Sequence, residues 1–235
     1  SEVIGMNESP IQAIKAKKDS SLNVAINLVK EKKADAVVSA GNTGALMAAA
    51  LLKLGRVPGV ERPAIATEFP TASGKVLLLD MGANVDCKPK HLEQFAVMGS
   101  LYAKHVMHIK NPRVGLLNIG EEKEKGNELT REAYTLLENA PINFIGNVEG
   151  RDLYNGRADA IVWDGFTGNV ALKTSEGLIE AVLKLLREEL SRNLQAKLGA
   201  LLSKQSFKRL KKRLDYSEYG GAPLWAPRRA NLRRW

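Results

Sequence analysis

Six short apolar runs, spaced so that most have room for a helix between them, constrain this chain more than any other feature. They are ADAVVSA (34–40), RPAIAT (62–67), KVLLLDM (75–81), RVGLLNI (113–119), INFIG (142–146) and DAIVWD (159–164). Helical patterns fall at about 43–54, 91–108, 127–139 and 168–194. Nearly continuous apolar strands alternating with helices predict a largely parallel sheet covered on both faces. The exception is the pair 62–67 and 75–81, whose connection EFPTASG is too short for a crossover helix, so an antiparallel hairpin is expected there.

Past residue 178 the pattern changes. Val182, Leu186, Leu190, Leu194, Leu198 and Leu202 recur every four residues, so their stripe winds slowly around a helix. FKRLKKRL then alternates apolar and basic residues, and 178–214 reads as a helical hairpin with its turn near Gly199 to Ser206. The formal charge of +9 belongs to this region. From Lys184 onward lie 14 of the 35 Lys and Arg but only 4 of the 26 Asp and Glu, so the first 183 residues are nearly neutral. A basic quarter on a neutral body points to a polyanion or an anionic membrane surface as its partner. No window approaches a membrane-spanning length, the first residues lack a signal-peptide pattern, and the lone Cys87 excludes an internal disulfide and fits a reducing cytoplasm.

In an open parallel sheet ligands gather beyond the C-terminal ends of the strands, and four such loops are rich in Gly, Asn and charge. SAGNTG is neither nucleotide fingerprint, but Gly41 and Gly44 admit close backbone approach while Ser39, Asn42 and Thr43 offer donors ahead of a helix. The bland alternative is a glycine turn with a helix cap. DMGANVDCKPKH offers Asp80 and Asn84 as ligand hydrogen-bonders. Its Asp80, Asp86, Cys87 and His91 match no zinc spacing, so no metal site is expected. NIGEEKEKGNE sets Lys125 among Glu121, Glu122, Glu124 and Glu128, either as a solvated loop or as a cation for a reacting anion. In DGFTGN, Asn169 reads as a cap or as an amide aimed at a developing oxyanion.

Taken together, SAGNTGALMAAALLKLGRVPGVERPA, LLLDMGANVDCKPKHLEQFAVMG, LLNIGEEKEKGNELTREAY, WDGFTGNVALKTSEG and LDYSEYGGAPL resemble the bacterial acyl-acyl-carrier-protein:phosphate acyltransferases in order and spacing, from about residue 1 to Leu224. The resemblance implies a three-layer α/β/α sandwich like those of phosphotransacetylases and isopropylmalate dehydrogenases, with a protruding C-terminal helical hairpin. It implies a homodimer without cofactor that transfers a fatty acyl group from acyl carrier protein to inorganic phosphate, the acyl phosphate passing to a membrane glycerol-3-phosphate acyltransferase. By the same resemblance Lys125 and Asn169 are the catalytic candidates. Ser39, Gly41, Asn42, Thr43 and Gly44 would cradle phosphate. Asp80, Asn84, Glu121, Asn127, Thr167 and Gly168 would contact substrate.

Residues Leu198, Leu201, Leu202, Lys208, Arg209, Lys211 and Lys212 of the hairpin would meet an anionic membrane, making the protein cytoplasmic and peripherally membrane-associated. The expected divisions are a catalytic core at 1–177, the hairpin at 178–214, a return to the core at 215–224 and an aberrant tail at 225–235. The family pattern has a further strand-rich segment ahead of Ser1, and a strand and helix where this chain has WAPRRANLRRW. Residues 1–235 by themselves are therefore expected to form a poor enzyme. Two other readings stay open: a phosphotransacetylase using acyl-coenzyme A, and a non-catalytic nucleic-acid binder working through the basic quarter. The second is disfavoured because that quarter has few aromatics among its charges, and nucleic acid is not an expected partner.

Overall fold

The computed structural model describes residues 2–214 and 224–225, without the side chains of 211–214 and 225. Its centre is a six-stranded sheet in the order β4-β3-β5-β2-β1-β6. The strands are β1 (Ala64–Thr71), β2 (Gly74–Leu79), β3 (Arg113–Leu117), β4 (Asn143–Val148), β5 (Ala160–Val162) and β6 (Leu224–Trp225). β2, β5, β3 and β4 are parallel neighbours. β1 turns back on β2 as the expected antiparallel hairpin, with Ala66 opposite Leu79 and Thr71 opposite Gly74.

Side-chain alternation along the strands sorts the core into two layers. Leu77, Leu79, Val114, Leu116, Ala160 and Val162 point to one face. There they meet Leu92, Phe95 and Ala96 of α4 (Pro89–His105) and Ala133 and Leu137 of α5 (Glu128–Glu138). Val76, Leu78, Ile161 and Trp163 point the other way, toward Leu153 of α6 (Asp152–Asn155) and Ala171 and Leu172 of α7 (Gly165–Leu190). The three-layer α/β/α sandwich is thus present. Burial of whole strands on both faces is what makes their sequences read as unbroken apolar runs.

A third apolar cluster is helical. It joins Ala13 and Ile14 of α1 (Pro10–Ala16), Ile26 of α2 (Ser21–Lys30) and Ala45, Ala49 and Ala50 of α3 (Thr43–Leu54). Neither α1 nor α2 was expected from sequence. The run 34–40, expected as a strand, is irregular instead. Its Val37 packs on the helical cluster while Val38 is 83% exposed, and the run pairs with no strand among the described residues. The edge place beside β1 goes to Leu224–Trp225, opposite Ile65 and Ala64. The tail expected to begin at 225 therefore starts with a paired residue, while 215–223 and 226–235 lie outside the described residues.

The long C-terminal helix is also shorter than its leucine row suggests. It stops at Leu190, and Asn193 accepts a hydrogen bond from Ala196 N (2.8 Å) to cap α8 (Leu194–Leu202). A second break at Ser203 leads into α9 (Lys204–Leu214), within the span where a turn was expected.

Candidate active site

Because β2, β5, β3 and β4 run the same way, the turns after β2, β3 and β5 emerge at one edge of the sheet. Asp80, just past β2, organises that edge. It is fully buried, and its carboxylate accepts hydrogen bonds from Ile65 N (2.9 Å), Ala83 N (3.1 Å), Asn84 N (2.7 Å) and Asn84 Nδ2 (2.8 Å). Burial pushes its carboxyl above the usual range, against the pull of these four donors. Its backbone carbonyl accepts from Trp163 Nε1 (2.8 Å), and Gly165 N donates to Asn84 O (2.7 Å). The turn after β2 is thereby fastened to the first turn of α7.

Glycine makes this contact possible. A Cβ at Gly168 would stand 1.9 Å from the Asp80 carbonyl oxygen and 1.9 Å from Trp163 Nε1, and one at Gly165 would stand 2.8 Å from Asn84 N. Asp164 caps α7, accepting from Thr167 N (2.9 Å) and Thr167 Oγ1 (2.7 Å). Asn169, one turn in, lies on the exposed side of the helix and makes no hydrogen bond through its amide among the described residues.

These elements form one wall of a cleft of about 470 Å3. Gly82, Gly165 and Asn169 line it on that side, and Ser39, in the run ahead of α3, and Thr43, its first residue, line it from the other. Thr67 adds a further hydroxyl, while Leu46, Ile65, Met81, Val85, Phe166, Leu172 and Leu224 make the rest apolar. The N-terminal ends of α3 and α7 both border this cleft, and such ends carry partial positive charge and unpaired amide hydrogens. An anion and an apolar chain are both accommodated by such a lining.

Of the residues singled out from sequence, Ser39, Thr43 and Asn169 line the cleft. Asn42 works inside the fold: its Oδ1 accepts from Ala45 N (3.0 Å), and its amide donates to the carbonyls of Gly5 (3.3 Å) and Met6 (3.2 Å). Gly41 donates its N–H to Ser39 Oγ (3.2 Å), and Gly44 packs under Pro10, whose Cγ would lie 2.8 Å from an added Cβ. Asp80, Asn84, Thr167 and Gly168, expected at the substrate, are taken up by the network just described.

The loop after β3 does not line the cleft. Glu121 pairs with Arg157 (2.5 Å), whose guanidinium holds that carboxyl below its ordinary range. Asn127 caps α5 through Thr130 N (2.9 Å). Lys125 is exposed, on a loop pinned by Asn118 Nδ2 to the Lys125 carbonyl (2.9 Å) and by Asn147 Nδ2 to the Glu122 carbonyl (2.8 Å).

A family model described as "Fatty acid synthesis protein" matches residues 1–230. The chain belongs to the fatty acid synthesis protein family. Among similar family members, the "Phosphate acyltransferase" of Geotalea uraniireducens (strain Rf4) is 58% identical over 224 residues, covering 95% of this chain and 65% of the relative. That of Heliobacterium modesticaldum (strain ATCC 51547 / Ice1) is 60% identical over 224 residues, covering 95% of this chain and 67% of the relative. The chain thus spans 65% of the length of the first of these. In fold it is similar to the EutD phosphotransacetylase from Staphylococcus aureus, with a TM-score of 0.53 at 18% identity over 75% of this chain and 66% of that one.

In this family member the C-terminal helices carry their apolar residues outward. Leu198, Leu201 and Leu202 are exposed, as are Lys208 and Arg209, and no helix among the described residues is long and apolar enough to cross a membrane. Lys211 and Lys212 lie on α9, with side chains outside the description. Sequence reading missed Gly82 and the apolar lining. Gly82, at φ +119°, had a signal in the DMGAN turn; Ile65, Met81, Phe166 and Leu172 had none beyond lying next to strand and helix ends.

Proposed function

We propose that this protein acts as a phosphate acyltransferase, moving a fatty acyl group from the thioester of acyl carrier protein to inorganic phosphate. An oxygen of phosphate attacks the thioester carbonyl, the C–S bond breaks, and acyl phosphate leaves with the free thiol of the carrier. The observation that carries this reading is the meeting of Ser39, just ahead of α3, and Thr43, at its start, with Asn169 in the first turns of α7, in a single cleft. Two helix N-termini and two hydroxyls suit phosphate, the apolar wall suits an acyl chain, and the uncommitted amide of Asn169 suits the thioester oxygen as it gains charge. Relatives that bear the name phosphate acyltransferase support the same chemistry.

Lys125 is assigned to neutralising phosphate charge on the strength of the family resemblance. Its loop leaves β3 at the sheet edge where the β2 and β5 turns emerge but does not line the cleft, so the assignment requires the loop to reach the phosphate when substrate is bound. Homodimer formation and peripheral attachment through α8 and α9 belong to the same proposal, as does delivery of the acyl phosphate to a membrane acyltransferase. The test is acyl phosphate formation from acyl carrier protein thioester and phosphate, run beside the Geotalea relative, with acyl-coenzyme A as the competing donor. Turnover with the carrier thioester supports the reading; turnover with coenzyme A alone rejects it, as does turnover with neither donor once the chain is joined to the segments by which the Geotalea relative is longer.

A further inference from the structure

A second cavity, of about 290 Å3, opens on the other flank of α3. Met47 and Leu51 of that helix line it, together with Arg56, Glu61 and Arg62 from the connection to β1. The two cavities share their partition: Leu46 and Val85 line the cleft, whereas their chain neighbours Met47 and Asn84 line this cavity.

Its charge is unbalanced. Glu61 is already engaged, its carboxylate with His91 Nε2 (3.2 Å) and its N–H with Gln94 Oε1 (2.9 Å). Arg56 donates to the Glu61 carbonyl (2.5 Å), and Arg62 makes no hydrogen bond or ion pair among the described residues. Neighbouring titratable groups do not cancel the second guanidinium. Burial and Arg62 both hold His91 below its ordinary pKa, and burial pushes the Cys87 thiol up to about 12, so it supplies no thiolate. Two guanidiniums therefore face one carboxylate beside a short apolar wall.

We propose that this cavity binds the phosphate of the pantetheine arm that bears the acyl thioester, with the arm crossing the turn at 82–85 to bring the thioester to Asn169. The inference rests on the acyl-transfer reading above. Guanidinium forks match phosphate oxygens in pairs, and Met47 and Leu51 suit the branched methyls next to that phosphate in the arm. The same arm occurs on acyl carrier protein and within coenzyme A.

Calorimetric titration of the 235-residue chain with 4′-phosphopantetheine and with pantetheine tests the site without requiring turnover. The phosphorylated compound is expected to bind about tenfold more tightly, the worth of a charge-assisted contact. Arg56→Gln and Arg62→Gln should each narrow that gap, Arg62→Lys should narrow it less, and Asn169→Ala should leave it intact. Equal binding of the two compounds, binding of neither, or a gap that survives both glutamine variants overturns the proposal. Displacement of phosphopantetheine by arm-bearing carrier but not by carrier lacking the arm identifies the carrier as source. Displacement by coenzyme A at a lower concentration than by the arm-bearing carrier identifies coenzyme A as source, and displacement by neither overturns the site. A binding gap without acyl phosphate formation would reject the reaction and keep the site; acyl phosphate formation without the gap would do the reverse.

Discussion

Asn169 stands directly over Gly82: a Cβ placed on Gly82 would lie 3.6 Å from the Asn169 Cβ and 3.7 Å from its Oδ1. The amide proposed to meet the thioester therefore rests against bare backbone from the turn after β2. Asn169→Ala should lower acyl phosphate formation by about a hundredfold, the usual cost of losing one oxyanion donor, with little change in melting temperature. Equal turnover by variant and parent would remove Asn169 from the mechanism.

Gly168→Ala should behave in the opposite way. Its methyl has no room beside the Asp80 carbonyl and the Trp163 indole, and overpacking of this kind costs about 1–3 kcal/mol or more. The measurement is a denaturant midpoint; an unchanged midpoint would show that α7 shifts freely and that the contact does not hold the site together.

Asp159 sets part of the acid limit of the fold. Burial favours its neutral form, but hydrogen bonds from the Arg113 side chain (2.9 and 3.0 Å) and N–H (2.8 Å) outweigh that and hold its pKa below the ordinary value. A lowered carboxyl pKa stabilises the fold above the unfolded value of about 3.9, and that contribution is lost as pH falls toward the folded value. Asp159→Asn should therefore cost stability near neutral pH and flatten the acid limb below about pH 4. Denaturant titrations at a series of pH values would reveal parallel curves if the pair contributes nothing.

The charges on α9 bear on membrane attachment. Lys208→Glu combined with Arg209→Glu should weaken binding to anionic phospholipid vesicles by about tenfold or more at low salt, and by less as salt is raised. Flotation that ignores both the substitutions and the salt would leave the exposed leucines of α8 to another role, such as a dimer contact.

The sheet was legible because its strands are buried on both faces, so that KVLLLDM and DAIVWD could hardly read as anything else. The hairpin followed from the length of EFPTASG. The run 34–40 misled because Val37 is apolar for the sake of helix packing, and β-type composition forms no strand without a partner edge. At the site, Asn42, Asp80, Asn84, Asn127 and Thr167 read as ligand donors because capping and turn-fastening use the same side chains as ligand binding. Local sequence cannot show whether such a group faces inward, which for Asp80 depends on Ile65, fifteen residues earlier. The two arginines of the second cavity were hidden for a related reason: nothing in local sequence shows that Arg56 and Arg62 open on one cavity with Met47 and Leu51.

Asp80 also has a consequence for assembly. The β1–β2 hairpin is joined by its turn at one end and, at the other, clasped by a single carboxylate that holds both Ile65 N and the amides after β2. A hairpin slipped by one residue would carry the Ile65 amide away from that carboxylate and invert the two faces of β1. It would thereby lose the support of the turn against which Asn169 rests. Correct strand alignment and a finished cleft are thus achieved in the same event, and a misaligned sheet edge cannot display the proposed site.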